Sequence, residues 1–350
     1  MKRIVAAALL LTVFALGFSI LIALAKPLPP PEAGQASPSP PPSTSPSPSP
    51  TPTPAAGGTV DSLFHVTVAL PEGAATLPLD EYLIGVVGGE MPASFEPEAL
   101  KAQAVAARTY TLSRMLSAPR PEHPDAHVCS DYTHCQAYLT PEELRERWGE
   151  DYEAYLAKTA DAVRSTDGQC LVYEGAPIEA VFHSSSAGKT ASSAEVWGRV
   201  LPYLVSVDSP ETAQDVPNYE STVTVSHADF KNTILKAFPQ AKLGDDPETW
   251  FGPKTLSQSG RIESVLIGGV AVPGTELRTL FGLRSTAIEI RLTGTDVVFV
   301  TTGYGHGAGL SQYGANAMAR DGRGYREILL WYYRGAEFGD IRLFLPKRNP

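Results

Sequence analysis

From Phe64 to Leu70 apolar and polar positions alternate, Phe64, Val66, Val68 and Leu70 against His65 and Thr67, which is the period of a half-buried strand. Short runs rich in β-branched residues predict further strands near Cys170–Tyr173, Ile178–His183, Ile262–Ile267, Ala287–Leu292 and Val297–Thr302. A helical period sets in after Pro97, where Leu100, Ala104, Ala107 and Thr111 fall on one face and the many alanines let another backbone approach closely. Pro97 suits a first turn and Glu96 and Glu98 complement its positive end, so a helix is expected to run on to Met115. Glu142–Ser165, Ala315–Ala319 and Gly324–Tyr333 read as further helices, while Tyr82–Val87 fits strand or helix equally. Strands and helices do not alternate regularly enough for a doubly wound sheet, and the expected class is α+β.

Ahead of this mixed region the pattern changes twice. Met1-Lys2-Arg3 precedes an apolar run from Ile4 to Ala25, long enough to span a bilayer, and the preceding cations would keep the N-terminus in the cytoplasm and export the rest. Residues 1–26 are thus a single-pass membrane anchor or, since Ala23-Leu24-Ala25 offers a cleavage site, a signal that leaves a secreted protein. Residues 27–57 are dominated by Pro, Ser and Thr, a composition that forms no core and reads as a disordered, extended tether. At ~3.1 Å per residue its stretch from Pro27 to Pro54 would reach roughly 80–90 Å. Residues 58–350 are long enough for one large domain or two lobes, with about 222–295 expected to form the second.

The net charge of −10 and the export signal together disfavour a nucleic-acid partner. Chemistry concentrates in two places. The apolar, Gly-rich run Leu83–Gly89 ends on Glu90, and a carboxylate among apolar residues is driven toward its neutral form, which suits a general acid. Lys101 and Arg108, two turns apart on one face of the following helix, are candidates to limit that rise or to orient a substrate; the alternative is that Glu90 caps a turn and Arg108 pairs with an acid. The second concentration is His123, His127, Cys129, His134 and Cys135. Thiolate with imidazole suits zinc. A Cys129–Cys135 disulfide in an oxidising compartment, a loop of solvated histidines, or a Cys135–His134 nucleophile pair are the alternatives. Cys170, in the run Cys170–Tyr173, reads as core. His183-Ser184-Ser185-Ser186-Ala187-Gly188-Lys189-Thr190 lacks the first glycine of a phosphate loop and the elbow of a serine hydrolase; it is expected to present hydroxyls to a sugar. Gly303–Gly314 offers His306, Gln312 and Tyr313 among glycines that permit close approach.

Five blocks carry a family resemblance: EMPASFEPEALKAQAVAARTY, HCQAY, FHSSSAGKT, PYLVSVDSP and GYGHGAGLSQYGANAMA. They resemble, in order and from about Leu77 to Tyr333, the stage II sporulation protein D family of peptidoglycan lytic transglycosylases. The resemblance implies a two-lobed catalytic domain with a central cleft. Glu90, just before Met-Pro, would be its catalytic acid and base. His123, Cys129 and Cys135 would be zinc ligands, with the metal structural and not needed for the chemistry. His134 would line the cleft, and Lys101, Arg108, Tyr203, His306 and Gln312 would bind substrate, with Tyr203 equally readable as a buried core residue. It further implies glycan strands as substrate, septal wall remodelling and engulfment during sporulation as the setting, and a cell-wall amidase and a membrane scaffold as partners. The related amidase-enhancer proteins supply the rival reading, a non-enzymatic wall-binding activator; a zinc amidase using the His/Cys set with Glu90 as base is a second rival.

Overall fold

Alternation at Phe64–Leu70 becomes the strand His65–Leu70, with Val66 and Val68 fully buried. It pairs antiparallel with Gly73–Pro78 and, on its other edge, parallel with Val128–Cys129. The computed structural model of the chain describes residues 58–345. The leader, the Pro-rich tether expected over 27–57 and the last five residues of the expected domain lie outside the described residues. Among the described residues no helix is long and apolar enough to cross a membrane.

The ambiguous stretch is helical: α1 spans Leu79–Glu90, starting after Pro78 with Asp80 and Glu81 in its first turn, where the helix end is positive. Leu79, Tyr82, Leu83, Val86 and Val87 are all fully buried, so an apolar run that suits a buried strand is here a helix covered on most sides. α2, Pro97–Met115, packs against α1, against α4 (Tyr152–Arg164), and against the strand Gln169–Tyr173. The single helix expected over Glu142–Ser165 is two: α3 (Pro141–Trp148), with a Thr140–Glu143 capping box, is separated from α4 by a turn at Gly149–Asp151, where Gly149 takes a positive φ. The strand expected over Ile178–His183 shrinks to Phe182–His183, beside Leu310–Ser311. Upstream, tight turns from Ala180 N–H to Ile178 O and from Val181 N–H to Glu179 O interrupt the strand, leaving single bonds from Ile178 N–H to Leu171 O and from Leu310 N–H to Val181 O.

A second core, separate from the one around α2, is built from Phe230, Trp250, Val265, Ile267, Val272, Leu277, Val297 and Phe299. Two antiparallel three-stranded sheets frame it, one ordered Ile288–Leu292, Asp296–Thr302, Glu220–Ser226 and the other Val270–Pro273, Ile262–Ile267, Phe251–Leu256. Helices α5 (His227–Ala237) and α6 (Gly274–Leu280) complete this lobe. The chain then returns through the Gly-rich segment 303–311 to α7 (Gln312–Arg320) and α8 (Tyr325–Tyr332), both packed on α2. Helices and largely antiparallel sheets in separate groups make the fold α+β, as expected.

Candidate active site

Glu90 is the last residue of α1, half-buried at the C-terminal end of the helix. That end carries partial negative charge, the wrong end for a carboxylate. Burial drives its pKa above the usual carboxylate range, opposed by two hydrogen bonds and the more distant Arg147 guanidinium. Its Oε1 accepts the Ala137 N–H at 2.5 Å and its Oε2 accepts from Gln312 Nε2 at 3.1 Å. The glycines of α1 let the first of these form. A Cβ on Gly85 would lie 2.5 Å from Leu139 O, and one on Gly89 3.3 Å from the Ala137 Cβ. Glycines that each cost the helix ~1 kcal/mol therefore admit the loop that reaches Glu90. Gln312, the first residue of α7, brings the second donor from the Gly-rich segment.

Of the residues expected to bind substrate, only Gln312 touches Glu90. Arg108 is fully buried and serves as a strut. Its Nε bonds Asp61 Oδ1 at 2.8 Å, its Nη2 bonds Asp61 Oδ2 at 2.7 Å, and it also donates to the carbonyls of Val163 and Gln169. Lys101 pairs at 2.8 Å with Glu98, whose other oxygen accepts the Tyr325 N–H; it braces α2 against α8. Tyr203 is buried, its hydroxyl accepting the Glu179 N–H. Shared spacing on a helix face cannot tell which faces a core covers, and α2 is covered nearly all round. The cation beside Glu90 is instead Arg147, whose Nη1 donates to Gly89 O at 3.0 Å. Neither Arg147 nor the Ala137 N–H carries a sequence signal: one is an arginine on an exposed helix face, the other a backbone group.

His134 also moves, from the cleft lining to the His/Cys set. Ligand atoms of His123, Cys129, His134 and Cys135 all lie within 4.8 Å of one another. His134 Nδ1 is 3.3 Å from Cys129 Sγ, and His123 Nε2 is 3.4 Å from Cys135 Sγ. The outer ring nitrogen of His123 is engaged as a metal site requires, Nδ1 lying 3.0 Å from Ala126 O, while His134 Nε2 lies between Arg120 Nη1 at 3.3 Å and Glu122 at 3.5 Å. Two thiols and two imidazoles pointed at one centre fit a closed tetrahedral zinc site, four protein ligands in place of the three expected. Ala137 stands two residues beyond Cys135, and between them Gln136 Nε2 donates to Tyr82 and Thr111 inside the core. The cluster thus holds the segment that delivers the Ala137 N–H to Glu90.

The Ser-rich block turns inward. Ser185 and Ser186 are buried, His183 Nε2 takes the Ser186 hydroxyl at 2.7 Å, and Glu211, missed from sequence, accepts the Ser186 N–H. Lys189 is exposed and pairs with Asp208. His306, half-buried, lies 5.2 Å from the Trp197 ring, and burial together with Arg278 and Arg261 lowers its pKa to about 4, so it is neutral near pH 7.

Residues 72–173 match the family model described as stage II sporulation protein. The chain is 39% identical over 279 residues to stage II sporulation protein D of Bacillus subtilis (strain 168), covering 79% of this chain and 78% of the relative. Identity to stage II sporulation protein D of Bacillus amyloliquefaciens is also 39%, over 77% of each. An amidase enhancer of Bacillus subtilis is 29% identical over 72% of this chain but 39% of its own length. With a mixed helix-and-sheet fold, Glu90 at the end of α1 and matches of this extent, the chain belongs to the stage II sporulation protein D family.

Proposed function

We propose that the protein is a lytic transglycosylase that cleaves the β-1,4 bond between N-acetylmuramic acid and N-acetylglucosamine in peptide-stripped peptidoglycan. The observation that carries this reading is Glu90: a half-buried carboxyl at a helix C-terminus, its neutral form favoured, fixed by two donors. Among the described residues Arg147 is the one charge that bears on it. A single carboxyl suits a reaction with no water nucleophile. Glu90 protonates the leaving glycosidic oxygen; it then takes the proton of the muramic acid C6 hydroxyl as that oxygen closes the 1,6-anhydro ring. Once ionised, the carboxylate is stabilised by the Ala137 N–H and the Gln312 amide, which orient it without proton transfer of their own. Two-carboxylate hydrolysis would need a second acid across the cleft.

Zinc on His123, Cys129, His134 and Cys135 would hold the Ala137 segment in place. Membrane attachment through residues 1–26, action at the sporulation septum and cooperation with a cell-wall amidase, the last prompted by the amidase-enhancer relative, belong to the same proposal. That relative also favours the second reading, an activator that binds wall without cutting it.

Incubation with amidase-treated peptidoglycan and mass spectrometry of the products tests both. Anhydromuramyl ends with the parent and none with Glu90→Gln are expected. Reducing ends would mean hydrolysis instead, and an intact substrate that a control enzyme digests would leave the activator reading standing.

A further inference from the structure

A cavity of about 240 Å³ lies beside the Gly-rich segment, on the side of the second lobe, lined in part by Ala191, Glu195, Arg261, Arg278, Pro273 and His306. Arg261 is 3% exposed, yet its Nε and Nη1 have no hydrogen-bond partner among the described residues; its one contact is a long 3.4 Å bond from Nη2 to Lys189 O. No carboxylate among the described residues lies within ion-pair distance of Arg261, Arg278 or Arg284. Glu195 and Glu211 act on Arg261 only from beyond that distance; Glu195 spends its Oε2 on the Ser259 hydroxyl at 2.5 Å, and Glu263 in the same wall is exposed. A buried guanidinium left without an ion pair is costly to the fold, an arrangement that makes sense when a ligand completes it. The group is also held in position. Gly307, at φ +87°, lies across it so closely that a Cβ there would be 2.6 Å from Nη2. Nearby, the exposed Trp197 ring flanks His306.

Neutral His306 leaves the two arginines as the only cations of this cavity wall. A fixed guanidinium with free N–H groups matches the geometry of a carboxylate, which it takes in a bidentate pair. The Gly-rich segment leads from His306 to Gln312, the Glu90 donor, and those six steps span at most about 20 Å of chain. A glycan strand threaded past Glu90 is therefore within reach of this cavity.

We propose that Arg261 and Arg278 form a subsite for the free lactyl carboxylate of a muramic acid residue some way along the strand from the bond that is cleaved. This rests on the reading of the protein as a glycan-cleaving enzyme, and deepens it: the substrate is recognised by the carboxylate that removal of the peptide stem exposes. A strand still carrying its stem has an amide at that place, with no charge to pair.

Binding tests this directly. The full chain carrying Glu90→Gln, which leaves the strand uncut, is sedimented with stem-free glycan strands stripped of phosphate polymers. The comparison is with the same strands after carbodiimide-driven conversion of their carboxylates to amides. Amidation should weaken binding by about tenfold or more, the loss of one charge-assisted pair. Arg261→Gln and Arg278→Gln should each weaken binding to the native strands by a similar factor and abolish the response to amidation. The strand comparison needs no arginine variant, so a poorly folding Arg261→Gln leaves the test intact. Equal binding to both strands, or arginine variants as sensitive to amidation as the parent, would overturn the subsite, as would binding that follows restored phosphate polymers and ignores the carboxylates. The readout does not depend on catalysis. An inactive parent with carboxylate-dependent binding would sink the transglycosylase reading alone, and an active parent indifferent to amidation would sink the subsite alone.

Discussion

Two glutamates are held by neighbouring residues of the same segment, Ser311 and Gln312, and are built for opposite ends. Glu211 is 2% exposed and held by three donors: Oε1 accepts the Ser186 N–H at 2.6 Å and the Ser311 hydroxyl at 2.5 Å, and Oε2 accepts the Ser209 hydroxyl at 2.5 Å. It lies at the N-terminal, positive end of α7, so close that a Cβ on Gly314 would be 2.6 Å from Oε2. Glu90 lies at the negative end of α1, keeps part of its surface open, and has two donors for about four lone-pair sites. A fully buried carboxylate with three donors is a structural tie. One held on two sides, placed against a helix's dipole and left accessible, retains the capacity to exchange a proton.

If that contrast is right, the larger stability effect belongs to the glutamate without the chemistry. Glu211→Gln puts an amide N–H₂ among three donors and should cost about 3 kcal/mol, since hydrogen bonds to charged groups contribute ~1.5–3 kcal/mol each. In a domain of this size that lowers Tm by about 6 °C. Calorimetry showing an unchanged Tm would remove Glu211 from the structural role.

The proposed zinc site reaches the other glutamate through its loop. Released zinc would free Cys135 and with it the segment carrying the Ala137 N–H; losing that bond to the developing carboxylate should slow cleavage by about tenfold, the value of one charge-assisted hydrogen bond. The check is metal analysis alongside turnover before and after chelation. Purified protein with no metal, or turnover unmoved by its removal, would separate the cluster from Glu90.

How much of this could be read beforehand follows the same division. Local signals gave α2 its start at Pro97 and the strand His65–Leu70 its faces, because a helix N-terminus and a two-residue period are written in adjacent residues. Tyr82–Val87 stayed ambiguous because burial on most sides erases the period that distinguishes helix from strand. The His/Cys set stood out by density, but the place of His134 in it depended on which way two adjacent side chains point. Arg108 shows the limit most sharply. Its charge and its nearness to Glu90 in sequence suited a substrate contact or a pairing with an acid, and the acid, Asp61, is distant in sequence and was not singled out. Arg261, an arginine of no motif at the start of a strand, gained meaning only when its surroundings left it unpaired.

The smallest effect is the most discriminating, because it has opposite sign for the two glutamates. Burial raises the Glu90 pKa in the folded state, so between its unfolded value, ~4.3, and that raised value the native state binds more protons than the unfolded one. Stability from this group is therefore fully present below about pH 4 and is lost as pH rises through the folded pKa. At pH 7 the raised pKa of Glu90 is a cost to the fold. Glu90→Gln, uncharged at every pH, should raise Tm at pH 7 while ending cleavage, and the gain should shrink to nothing as pH falls below about 4. Thermal melts of parent and variant from pH 4 to 8 read this out. A variant less stable than the parent at pH 7 would mean that the Ala137 and Gln312 bonds outweigh the burial of the charge. Glu90 would then be a second Glu211, and the acid–base role would have to be sought elsewhere in the cleft.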